Sequence, residues 1–166
     1  MSSKIILCFI LYGNAFMALS QNIEFSPFSN WHLKVNSEDI IAAGEDFAGI
    51  YETSANHMRI GVQVGAENYQ NKMERRWVLE VERRNKGWHQ DLVISTRRTG
   101  GGSGPRYGQA IEGGEIYREI NRKPIRFFSC RGWRYDIPMQ FELRGISVLL
   151  PVKTYSVELR FTIVED

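Results

Sequence analysis

From Trp31 to the last residues of the chain, apolar side chains recur at every second position. A segment spaced in this way can bury all of them on one side only if it is extended, because successive side chains of a strand point to opposite faces. Trp31, Leu33 and Val35 follow the pattern, as do Met58, Ile60, Val62 and Val64, and then Trp77, Leu79 and Val81. The longest run is Trp133, Tyr135, Ile137, Met139, Phe141 and Leu143; the last is Tyr155, Val157, Leu159, Phe161 and Ile163. Pro138 falls in the polar set of the longest run. Proline has no N–H to give to a ladder, so that strand is expected at a sheet edge or bulged there. Turn signals separate the runs at Asn85-Lys86-Gly87, Thr99 to Pro105, Glu112-Gly113-Gly114, Arg131-Gly132 and Arg144-Gly145. Eight or nine short strands so spaced predict an all-β fold, a two-sheet antiparallel sandwich of immunoglobulin-like or jelly-roll-like kind. The stretch from Ser37 to Phe47 is short and contains Gly44, which predicts a turn or a single helical turn.

The first 20 residues are written differently. Lys4 supplies a positive start, Ile5 to Leu19 is apolar except at Gly13 and Asn14, and Ala18-Leu19-Ser20 ends the stretch on small residues. These are the marks of a secretory signal cut before Gln21. The expected organisation is a signal peptide over 1–20 and one sandwich domain over 21–166. A retained membrane anchor would need about 20 apolar residues in a row, so no transmembrane segment is expected after cleavage. The protein is then exported, to the periplasm, the outer surface or the medium. Cys8 lies inside the apolar stretch and not at its end, which disfavours a lipoprotein. That leaves Cys130 alone in the body, where it cannot close an intramolecular disulfide and reads as a small buried hydrophobe.

Losing Lys4 takes the formal charge from +2 to +1, too near neutral to point to nucleic acid. The distribution is less even. From Gln21 to Gln70 seven acids face only Lys34 and Arg59, while Asn71 to Asp166 carries eighteen basic residues against twelve acids. The usual meaning of such a split is a solvated surface with no partner; the other reading is head-to-tail contact between copies.

Enzymatic chemistry finds little to build on. His32, His57 and His89 have no metal-ligand spacing, and a zinc site needs three or four converging ligands. Glu80 and Glu82 would share a strand face, as a glycosidase pair does, yet Arg75, Arg76, Arg83 and Arg84 flank them and cross-strand ion pairing explains them better. No catalytic residue, cofactor or metal is expected. The most unusual composition is Arg97-Arg98-Thr99-Gly100-Gly101-Gly102-Ser103-Gly104-Pro105-Arg106-Tyr107. It reads first as a mobile surface loop; the other reading is an anion cradle, its backbone N–H groups curling around the ligand with Arg97, Arg98 and Arg106 nearby, although it lacks the ending of a phosphate-binding loop. Trp88 and Tyr107 stand at turns where a ring can stack on a sugar or fold back over the sandwich. The candidate binding residues are therefore Trp88, Arg97, Arg98, Arg106 and Tyr107.

The end of the chain, from Leu149-Leu150-Pro151 through Thr154-Tyr155 to Ile163, resembles the closing strand of secreted bacterial pilus and coat subunits of the spore-coat-protein-U and archaic chaperone-usher kind. The resemblance covers about 15 residues of the 166. It implies a sandwich lacking one strand, completed by a neighbour's extension, with Tyr155, Val157, Leu159, Phe161 and Ile163 as an assembly strand. The leader's end at Ser20-Gln21 resembles those of the Bacteroidetes, which implies a Gram-negative source. The mature start, Gln21 to Pro27, offers only Ile23 and Phe25 as a donor segment, and the cysteine pair of those subunits is missing. The expected function is a non-enzymatic structural or adhesive subunit of the bacterial envelope, fimbria-like, whose partners are other surface proteins or its own copies. The alternative is a carbohydrate-binding sandwich with a glycan as partner.

Overall fold

The computed structural model describes residues 5–13, 22–27, 30–40, 46–65, 74–105 and 110–166. The expected cleavage point, Arg106 and Tyr107 lie outside them. Eleven strands are present among the described residues: β1 (Ile5–Gly13), β2 (Asn22–Ser26), β3 (Lys34–Val35), β4 (Ile50–Glu52), β5 (Met58–Gln63), β6 (Arg76–Lys86), β7 (Val93–Arg98), β8 (Arg118–Glu119), β9 (Ile125–Arg131), β10 (Arg134–Arg144) and β11 (Tyr155–Glu165). The excess over eight or nine comes from β1 and from β4 and β8, which are too short to show a period. The single helical turn is a 3-10 turn over Ser37–Asp39, where the Asn36 N–H donates to Asp39 Oδ2 at 2.6 Å.

The fold is a two-sheet β-sandwich. One sheet has the order β3-β1-β11-β6-β9 and the other β2-β5-β10-β7-β8, with β4 pairing on β10 beyond the end of β5. Every pairing is antiparallel except β1 on β11. The inward sets of the alternating runs meet between the sheets: Met58, Ile60 and Ile137 from one side and Trp77, Tyr155 and Phe161 from the other are fully buried. Each such side chain contributes about 1.5–3 kcal/mol by leaving water. Phe25 of β2 reaches across to Phe161 of β11, ring centres 5.7 Å apart. Cys130 is buried at 4% exposure in this core.

The longest run departs from strict alternation. Between Arg134 and Ile137 the register against β5 shifts by one residue, and Asp136 takes φ 55°, the left-handed region. The bulge anticipated at Pro138 is therefore present a little earlier, but β10 is a central strand and not an edge. One consequence overturns the sequence pattern. Ile137 to Leu143 keep their inward places, whereas Tyr135 lies over the outward side of Gly61 on β5. Trp133 stands beside Tyr135, ring centres 5.1 Å apart.

Candidate functional site

Three places hold the sequence-derived candidates: the β11 edge, the start of the glycine-rich stretch, and the turn at Trp88. On β11, Tyr155, Val157, Leu159 and Phe161 are buried to 1% exposure or less. Antiparallel β6 pairs one edge of the strand from Ser156 to Glu165. On the other edge β1 runs parallel, in register from Leu7 with Tyr155 to Gly13 with Phe161. Thus the slot beside the strand implied as an assembly surface is occupied, and the occupant lies in the segment read as the leader. β1 in turn carries β3 on its far side through two residue pairs.

Arg97 and Arg98 follow one another on β7 and so take opposite faces. Arg97 points outward and is spoken for: Nε and Nη2 donate to Gln140 Oε1 at 3.0 and 2.8 Å, and its guanidinium lies 4.8 Å from the centre of the Tyr117 ring. Gln140 passes the connection on to Thr53 O at 2.8 Å. Beside this row, Glu142 is buried at 3% exposure and faces Glu52 directly across the β4 pairing. Like charges so placed repel, and Arg144 offsets this: its Nη2 donates to Glu142 Oε2 at 3.1 Å, and its Nε lies 2.8 Å from Oε1 as an ion pair. Burial, and then the Glu52 carboxylate, push the Tyr117 phenol up to about 12. The phenol therefore stays neutral beside these carboxylates.

Arg98 turns inward and is only 7% exposed. Its guanidinium donates to Gly113 O, Ile111 O, Gly100 O and the Glu115 carboxylate, the last at 2.6 Å. This is a staple that fastens the 99–117 connection to the sandwich. The glycine-rich stretch is itself stitched to β10: Thr99 N–H donates to Pro138 O, and Ser103 and Tyr135 exchange both main-chain bonds at 2.7 and 2.8 Å. Gly102, at φ 61°, is needed because a Cβ there would overlap Tyr135 O. The Thr99 and Ser103 N–H groups are thus used within the fold, and Arg98 has its donors committed to the chain. Both arginines border a shallow cleft with Ala55, Thr99, Gly100 and Glu115.

Trp88 folds back over the sandwich end. Its Nε1–H donates to Leu92 O at 2.8 Å and its ring packs on the core. His57 sits edge-on to Phe141, and burial lowers its pKa. His89 stands by Asp91 and Tyr155. Glu82 pairs with Arg160 across the β6–β11 ladder and with Arg84 along its own strand, at 3.5 and 3.7 Å, the cross-strand pairing expected for it. Among the described residues no three His, Cys, Asp or Glu side chains converge as metal ligands. No helix among them is long and apolar enough to cross a membrane.

Two features escaped the sequence. The pairing of residues 5–13 left no signal, since an unbroken apolar run has no period. The outward Trp133–Tyr135 pair was hidden by a bulge that only the register reveals. Comparison of the sequence with models of known protein families and with curated proteins finds no match.

Proposed function

We propose that this chain is an exported structural or adhesive subunit of a bacterial envelope, acting through contacts between proteins and not through turnover. The observation that carries the reading is the strand at residues 5–13, paired with β11 from Tyr155 to Phe161. If export removes residues 1–20, it removes that strand too. The remaining chain then holds a seven-residue length of sheet edge with unpaired N–H and C=O groups and with Tyr155, Val157, Leu159 and Phe161 beside the gap. Such an edge is a template for another strand. A neighbour's segment that takes the place of β1 restores the ladder and links two subunits. The uneven charge, acid-rich before Gln70 and base-rich after it, supports a head-to-tail arrangement of such copies.

Sedimentation velocity tests the reading. Residues 21–166 are expected to form multimers that grow with protein concentration, while the unprocessed chain, with its slot filled from within, sediments as a monomer. Added salt should loosen only the part held by charge. A 21–166 chain that stays monomeric at high concentration and low salt would rule the reading out.

A further inference from the structure

The outward face of the β2-β5-β10 sheet carries a feature that the strand slot does not use. We propose that Trp133 and Tyr135 form a platform for a carbohydrate, an extended chain of pyranose units lying across the sheet. The bulge at Asp136 turns Tyr135 out over Gly61. A Cβ at Gly61 would come within 3.3 Å of the Tyr135 ring, so the missing side chain is what lets the ring lie down on the strand. Both aromatic residues are half-buried. Their centres are 5.1 Å apart and their planes differ by 42°, which offers successive sugars of a twisted chain one ring each. The apolar C–H face of a pyranose is flat and matches an aromatic ring, which is also polarised to receive it.

Around the rings the groups are polar and arranged to meet hydroxyls. Glu24 Oε1 receives Asn22 Nδ2 at 3.4 Å and Gln63 Nε2 at 3.3 Å on one side. On the other, Arg59 and Asp136 stand 3.9 Å apart and both about half exposed. Planar amides, a carboxylate and a guanidinium beside flat rings can both donate to and accept from sugar hydroxyls. The alternatives fit this chemistry less well. Single-stranded nucleic acid needs a positive track beside the stacked bases, and here the described charges are one arginine against Glu24 and Asp136. A protein interface needs an apolar, charge-depleted centre; among the described residues the exposed large aliphatics Ile116, Val148, Leu149, Val152 and Val164 lie off these rows, and Ile50, on β4, stands opposite Arg144 at the far end of β10 from the rings.

The test is calorimetric titration of the full chain with cellohexaose, chitohexaose and mannohexaose. At least one is expected to bind, with affinity falling about tenfold or more in Trp133→Ala and again in Tyr135→Ala, as for loss of a stacked ring. Trp88→Phe should bind unchanged. In the unaltered chain, which needs no variant to fold, the Trp133 indole N–H resonance should move as the bound sugar is added while that of Trp88 stays. Failure of all three sugars to bind, or binding that ignores both rings, overturns the proposal. The platform and the β11 slot lie on different sheets, so either result leaves the assembly reading to its own experiment.

Discussion

Gly145→Ala is expected to destabilise the protein by about 3–5 kcal/mol, from left-handed backbone strain added to overpacking. Gly145 has φ 84°, and a Cβ built there would overlap the main-chain Asp91 O. The atom it meets is main chain at the entry to β7, which cannot swing aside as a side chain can. Gly87 supplies the control, since it has the same φ of 84° with nothing within 4 Å of its would-be Cβ. Gly87→Ala should therefore cost only the backbone term, about 1–2 kcal/mol. The difference between the two variants in urea denaturation isolates the clash. Equal losses would mean that the β10–β11 connection does not approach Asp91 as closely as described.

Arg98→Met is the second large effect, a loss of about 3–4 kcal/mol in the same measurement, because the buried Ile111 carbonyl and the part-buried Gly113 and Gly100 carbonyls lose their donor. Gly113 O, Ile111 O and Gly100 O all depend on this guanidinium. Its fourth partner, Glu115, is 72% exposed at the side chain and can turn to water, so the cost falls on the main chain. Arg97→Met is the comparison, and should lose about 1 kcal/mol, near the usual worth of a hydrogen bond, since its partner Gln140 keeps its bond to Thr53 O. Against a typical total of about 5–15 kcal/mol, the Arg98 change endangers the fold and the Arg97 change does not. If the two variants proved equally stable, Arg98 would not be the staple of the 99–117 connection.

Where one side of a segment meets the core and the other meets water, the two-residue period could be read directly. Met58, Ile60 and Val62, then Trp77, Leu79 and Val81, then Tyr155 to Phe161 all fall inward where the alternation puts them. The period says nothing of which strand neighbours which, so the central place of β10 stayed hidden. A single extra residue reverses the side chains on one side of it relative to those on the other, which is why Trp133 and Tyr135, just before the bulge, were assigned inward with Ile137 to Leu143 and lie outward. Arg97 and Arg98 looked alike in sequence. Their fates differ because one strand step separates a surface pair from a buried staple. Residues 5–13 carry the deepest ambiguity, since a parallel strand flanked on both sides and the apolar segment of an export signal are written in the same unbroken hydrophobic run.

Hydrogen exchange along β11 separates these two roles directly. In the chain from Gln21 onward, the amides of residues 155–161 that are directed toward β1 should exchange quickly in dilute solution and become protected as concentration rises, while those bonded to β6 stay protected throughout. Equal protection of both sets in a dilute monomer would mean that the edge needs no partner, and would contradict assembly through it.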